Sequence, residues 1–381
     1  MLNTVIFEAD RLRQARQLAM LTKREVAEAS GVSPAAVGQY EAGVAVPRSE
    51  TISRLARALD VPEAFFGSGR PLQRLETIET YFESLRATTA KQRQHATAFA
   101  EQIWELTHAL ETHVRFPAPN VPSWEEYDQP KRWTAQQAAQ AVRAQWGLGT
   151  EPIGHLVAHL EANGIICSLA PPTEQSVARI DAYSTAAFGR PLAILTPDRA
   201  DDVFRHRFSA AHELGHLVLH AGEPSGDMWL EREADAFAAE LLTPREAIHD
   251  VLPSRMDFSA LFRLGERWGV SVKMLIYRSQ ELGLFSESTA RRAYIRLAHT
   301  DQPARPIRLY SGEVPSVLNA AFELASTRGL TIGSLANQLG WKPRRVRQLL
   351  GDDDPRPELK IVANGLSVPV SAPHWAPRHG R

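Results

Sequence analysis

Apolar residues recur at helical spacing through most of this chain, and only a few short runs near its middle have the character of strands. From Asp10 to Gly67 the pattern predicts five short helices. Leu12, Ala15, Arg16 and Ala19 mark the first. Thr22, with Glu25 three residues on, forms a capping box that opens a second, whose buried side is Val26 and Ala29. Gly31 makes a tight turn, Ser33 caps a third helix with Pro34 at its first position, and Gly43 ends it. Ile52, Leu55, Ala56 and Leu59 form a later helix, stopped by Val61-Pro62. In the connector, Leu75, Ile78, Phe82 and Leu85 fall at helical spacing, as do Ala96, Phe99, Ile103, Leu106 and Leu110. A proline-rich boundary follows from Phe116 to Pro122.

The middle reads as helices over Ala135 to Trp146 and Ile153 to Ala162, then strands over Ile165 to Leu169, Arg179 to Tyr183 and Leu192 to Leu195. Two apolar helices come next, around Phe208 to Val218 and Glu231 to Leu242. Phe258 to Trp268 and Ser271 to Leu282 form a helical pair closed by Gly283, and residues 301–311 read as a linker. Val317 to Ala325, Ile332 to Leu339 and Lys342 to Leu350 are three further helices. A hairpin around Asn364-Gly365 and a Pro/His/Arg tail, expected to be disordered, end the chain.

Length adds that 381 residues suit two or three domains. The formal net charge of −1 advertises no nucleic acid, so a DNA-binding claim needs a local motif. The single cysteine, Cys167, reads as a buried strand residue and forms no intramolecular disulfide. No apolar run reaches a membrane span and no signal-peptide core opens the chain, so the expected compartment is the cytoplasm.

The chemistry concentrates in His212-Glu213-Leu214-Gly215-His216. Residues four apart share a helix face, so His212 and His216 can point at one metal ion while Glu213 reaches a water beside it. Catalytic zinc takes three protein ligands, and the sequence offers the third in Glu231-Arg232-Glu233-Ala234-Asp235. Glu231 is the expected ligand, and Asp235, four residues on, the expected acceptor for the far nitrogen of a ligand histidine. Glu233 is the rival ligand, pointing about 160° away around the helix. His206 is not expected to ligate. His220, eight residues past His212, could donate to an oxyanion or could be a surface histidine at the helix end.

The run from Arg207 to His220, followed by Glu231 to Pro244, resembles the ImmA/IrrE family of zinc metallopeptidases. The family commonly has Met where this chain has Thr243. The resemblance implies a small α+β zincin-like domain, one Zn2+ per chain on His212, His216 and Glu231, and peptide-bond hydrolysis with Glu213 as general base. By the logic of such peptidases, Leu192 to Thr196 is the expected substrate-binding edge strand.

The run Leu21 to Gly43 resembles the XRE (Cro/C1-type) helix-turn-helix domain, over residues 8 to 66. This resemblance implies that Ser33, Ala35, Ala36 and Gln39 face the major groove and that Lys23, Arg24 and Arg48 contact phosphates. Only Gln39 is built for bidentate base reading, so a homodimer is expected to supply the missing contacts, and a protein-binding bundle is the competing reading. The helices from 331 to 350, with Arg344, Arg345 and Arg347, could be a second helix-turn-helix or a small cap. Asp352-Asp353-Asp354 close by would repel phosphate.

The expected fold is mainly α: an all-α helix-turn-helix bundle (1–70), a helical connector (71–119), the small α+β peptidase domain (120–250), a helical extension (251–300) and a small helical C-terminal region with a flexible tail (301–381). The expected function is a regulator that binds operator DNA and carries a zinc endopeptidase. The resemblance implies a helix-turn-helix repressor or antitoxin as substrate, whose cleavage derepresses stress, mobile-element or defence genes. Two alternatives stand beside it: a transcription factor that senses a metal or ligand without cleaving, and a toxin–antitoxin component.

Overall fold

The computed structural model describes residues 6–75, 81–82, 89–123, 132–170, 182–196, 201–220, 227–300 and 303–351. The hairpin expected at Asn364-Gly365, the tail, Asp352 to Asp354, Ile78, Leu85 and the start of the strand expected from Arg179 lie outside the described residues.

The N-terminal helices begin and end where their caps dictate. They are α1 (Ala9–Leu18), α2 (Lys23–Ser30), α3 (Pro34–Glu41) and α4 (Ser49–Ala58), followed by a 3-10 turn at Glu63–Phe66. The Thr22 hydroxyl accepts from the Glu25 N–H while the Glu25 carboxylate accepts from the Thr22 N–H, satisfying two donors at the start of α2. Gly31 turns the chain between α2 and α3 at φ +67°, a conformation that costs glycine little. Leu12, Val26, Val37, Leu55 and Phe66 are fully enclosed between these helices.

The connector does not stay helical. Tyr81–Phe82 is a short strand, β1, where helical spacing predicts a helix through Phe82. Two adjacent aromatics suit a strand, and the edge of another strand is there to pair with them. Helix α5 (Ala90–Glu111) then runs for 22 residues, opened by a capping box between Thr89 and Gln92. It is buried on more than one side because it serves three neighbours. Towards α1, Arg11 pairs with Glu105, Arg13 Nη2 lies 2.9 Å from Glu101 Oε1, and Gln14 donates to both carboxylates. Opposite, the Tyr183 hydroxyl donates to the Ala96 carbonyl at 3.0 Å.

The sheet contains β1, β2 (Ile166–Leu169), β3 (Ala182–Thr185) and β4 (Leu192–Leu195) in the order β1-β3-β4-β2. Its strands alternate between two cores. Ile166, Tyr183, Leu192 and Ile194 face the core shared with α5 and the N-terminal helices. Cys167, Ala182, Ala193 and Leu195 face the other. The order corrects one expectation. β4 pairs antiparallel with β3 and parallel with β2, so both its edges are occupied and Leu192 to Leu195 cannot take up a substrate strand. The outer edge of β3 is the one beside the site described below, and β1 pairs with it at Tyr183 and Ser184.

Over the second face lie α6 (Ala135–Gln145), α7 (Leu156–Ala162), α8 (Val203–Leu219) and α9 (Met228–Leu242). Further helices α10 (Arg245–Ile248), α11 (Phe258–Trp268), α12 (Val272–Glu281) and α13 (Glu287–Leu297) extend this core. The expected linker at 301–311 is instead anchored where it is described. Arg305 is buried and bonds Glu266 and Asp202, and Ile307 joins an apolar cluster with Val203 and Phe204. Just beyond, the buried Glu313 pairs with Arg207 and accepts the N–H groups of Leu156 and Val157. Proline and arginine therefore mark an ordered clamp here, because the arginine finds carboxylates on the core. The chain then returns to the N-terminal core through α14 (Val317–Ser326), α15 (Ile332–Leu339) and α16 (Pro343–Leu350).

Candidate metal centre

Helix α8 starts at Asp202, whose carboxylate accepts the N–H groups of Phe204 and Arg205 at 2.9 and 3.1 Å. Its apolar residues Ala210, Ala211, Leu214 and Leu217 are buried, which carries His212, Glu213 and His216 into the interior. Helix α9 crosses α8 at Gly215. A Cβ there would lie 3.0 Å from Phe237 Cδ1 and 3.2 Å from Ala234 Cα, so glycine sets how closely the two helices approach. That approach brings Glu231 over the two histidines.

His212 Nε2 and His216 Nε2 lie 3.1 Å apart. Glu231 Oε2 is 3.4 Å from the first and Oε1 is 3.6 Å from the second. Ligands at about 2.0–2.1 Å on a zinc tetrahedron are separated by about 3.3 Å, so these three residues have the spacing of a zinc site without rearrangement. Among the described residues, these three form the only group of His, Cys, Asp and Glu with metal-binding geometry. Burial, then the neighbouring His212 and His220 rings, push His216 well below the usual histidine range, so it is the neutral imidazole a metal requires. Glu233 points elsewhere: its Oε2 lies 3.2 Å from His220 Nε2 and 3.4 Å from Arg132.

The far nitrogens of both histidines are engaged. Asp235 Oδ1 lies 2.9 Å from His212 Nδ1, at the position expected from sequence. His216 Nδ1 faces His220 Nδ1 at 2.9 Å. For His216 to present a lone pair at Nε2, its Nδ1–H donates to His220, and the His220 Nε2–H then donates to Glu233. Burial first, then Arg132 and His212, pull His220 down to about 3, which keeps that ring neutral. This corrects the expectation for His220. It is fully enclosed and sits behind His216, away from the converging Nε2 atoms, so it is neither a surface histidine nor placed to meet an oxyanion. His206 is also accounted for, with its Nε2 2.9 Å from the Glu313 carbonyl.

Glu213 is fully buried, and the Ser184 hydroxyl on β3 donates to its Oε2 at 2.5 Å. Nothing in the sequence marks Ser184, because a serine in a short strand carries no signal of its own. His220 did have a signal, since it continues the four-residue spacing of His212 and His216.

In the N-terminal unit, Ser33, Ala35, Gln39 and Arg48 are exposed and Ala36 is half-buried. The Ser33 hydroxyl caps α3 by accepting the Ala36 N–H at 3.1 Å. Arg24 pairs with Glu28 at 2.9 Å and Lys23 lies 3.4 Å from Glu41, both at the surface.

A helix-turn-helix followed by a buried two-histidine, one-carboxylate cluster defines a class: a DNA-binding domain joined to a metallopeptidase-type domain. Comparison with known proteins agrees. Residues 12–66 match the helix-turn-helix family model, and residues 178–280 match the IrrE N-terminal-like domain, a peptidase family. The chain is thus a fusion of an XRE-type helix-turn-helix with an ImmA/IrrE-like domain. No curated protein matches it. No helix among the described residues is long and apolar enough to cross a membrane.

Proposed function

We propose that this chain is a DNA-binding regulator whose second domain is a zinc-dependent endopeptidase acting on a helix-turn-helix repressor or antitoxin. The observation that carries the reading is the zinc-like spacing of His212, His216 and Glu231 with the Glu213 carboxylate beside them. Zinc, when bound, supplies a Lewis acid that activates water and polarises a carbonyl. The protein's own groups do the rest. Glu213 takes a proton from the attacking water and hands it to the leaving amine. Ser184 holds that carboxylate in one rotamer through Oε2. Asp235 and His220 fix the two ligand rings. Operator binding by the N-terminal unit runs through Ser33, Ala35, Ala36 and Gln39 on the groove side and Lys23, Arg24 and Arg48 on phosphates. A homodimer supplies the contacts that one sparsely furnished helix cannot.

The test is zinc content and cleavage of purified helix-turn-helix repressors by wild type and Glu213→Gln. The variant is expected to keep about one zinc per chain and to lose cleavage by a factor of at least about 10². Zinc binding and operator binding with no cleavage by the wild type would instead identify a metal-sensing transcription factor.

A further inference from the structure

The C-terminal helices repeat the N-terminal ones. At one constant offset, Leu21, Thr22, Ala27, Gly31, Pro34, Val37 and Gln39 align with Leu330, Thr331, Ala336, Gly340, Pro343, Val346 and Gln348. The local structure repeats as well. Thr331 forms a capping box as Thr22 does, and Gly340 turns at φ +63° where Gly31 has φ +67°. Helices α15 and α16 are therefore a second helix-turn-helix. Its counterparts of Ser33, Ala35, Ala36 and Gln39 are Lys342, Arg344, Arg345 and Gln348.

Lys342 and Arg344 are exposed, and Arg345 and Gln348 are partly buried. All of them line a cavity of about 310 Å3 whose opposite wall includes Leu18, Val61, Phe65 and Gln102. The face that would read DNA is partly folded onto the first unit. Lys342 pairs with Asp60, and a Cβ on Gly340 would lie 2.8 Å from the Ala64 carbonyl oxygen. A space of this volume suits a small molecule.

One group in the cavity wall lacks the partner it calls for. The partly buried Arg345 guanidinium lies 5.3 Å over the Phe99 ring and bonds only the neutral amide oxygens of Gln102 and Gln348. Among the described residues no carboxylate lies within ion-pair distance of it, and burial lowers its pKa to about 10. A partly buried cation without an anion is costly.

We propose that this cavity binds a small organic anion. Its carboxylate or phosphate head meets Arg345, with Arg344 and Lys342 as further donors, and its apolar body lies against Leu18, Val61 and Phe65. Such a ligand bridges the two helix-turn-helix units, so it is an effector site separate from the metal centre.

The experiment is calorimetric titration of the full-length protein with benzoate and with phenyl phosphate, and with benzyl alcohol as a neutral control. At least one anion is expected to bind at least about tenfold more tightly than the alcohol, and the tighter of the two identifies the head group. Arg345→Gln is expected to weaken that binding about tenfold or more. Circular dichroism checks the fold. If Arg345→Gln does not fold, the exposed Arg344→Gln carries the test with the same direction of effect. The proposal is overturned if neither anion binds, if benzyl alcohol binds as well, or if the folded variants bind like wild type. It is equally overturned if the substitutions weaken only duplex binding, which would make these side chains contacts to DNA phosphate.

Discussion

The two residues behind the ligand histidines are expected to differ in what they contribute to zinc affinity, and the structure orders them. The perturbations are His220→Leu and Asp235→Ala. Removing a group that orients a ligand histidine costs about 10- to 100-fold in metal affinity, about 1.4–2.8 kcal/mol. The Asp235 side chain is 46% exposed, so water can take its place beside His212 Nδ1, and the loss belongs near tenfold. His220 is fully enclosed, and His220→Leu leaves the His216 Nδ1–H facing carbon, so the loss belongs near a hundredfold. His220→Asn keeps an acceptor near the original Nδ1 and is expected to recover most of the affinity. The assay is competition for zinc between the metal-free protein and a chromogenic chelator, with circular dichroism confirming the fold of each variant. An equal or reversed order of the two losses, or no recovery with asparagine, would refute the hydrogen-bonded relay from His216 through His220 to Glu233.

Three further outcomes follow from the packing. Gly215→Val forces α9 off α8 at Phe237 and Ala234; it is expected to cost about 1–3 kcal/mol and to lower zinc affinity at least tenfold, and unchanged affinity in a chelator titration would show that the crossing does not set the site. Glu313→Ala strands the buried Arg207 charge and the Leu156 and Val157 N–H groups; about 3–5 kcal/mol is expected in urea denaturation, and a loss under about 1 kcal/mol contradicts the clamp. Burial lowers the pKa of His95 and of His206, so each contributes stability that is complete above the unfolded value near 6.5 and is lost as pH falls through the folded pKa. Urea midpoints between pH 7.5 and 5.5 are expected to fall less in His95→Gln than in wild type, and equal slopes would remove His95 from that account.

Local rules made much of this molecule legible. The capping boxes, Gly31 and Pro34 place the N-terminal helices because each acts within a few residues. His212, His216, Glu231 and Asp235 are legible for the same reason: a spacing of four puts side chains on one face wherever the helix goes. What failed depended on pairing between distant segments. β4 was expected at an edge because it is the last strand before α8, yet β2 and β3 close on both its sides, and chain order does not fix sheet order. Tyr81–Phe82 left the helical pattern because β3 offered an edge. The clamp at Arg305 and Glu313 has the composition of a linker, and its partners Glu266, Asp202 and Arg207 are far away in sequence.

The same limit explains why charge alone misleads at α16. Three arginines on a short helix suggest phosphate, but α5 returns Gln102 and Phe99 to one of them and the first helix-turn-helix returns Asp60 to the neighbouring Lys342. Helix α5 is the reason these elements meet at all. Its Glu101 and Glu105 hold α1, its Ala96 carbonyl receives Tyr183, and Ser184, the next residue of β3, holds Glu213. One helix therefore stands in contact with the DNA-binding unit, with α14 to α16 and with the strand whose Ser184 holds Glu213. Because α5 holds these elements through buried ion pairs and packed side chains, a substitution that displaces it is expected to disturb each of them.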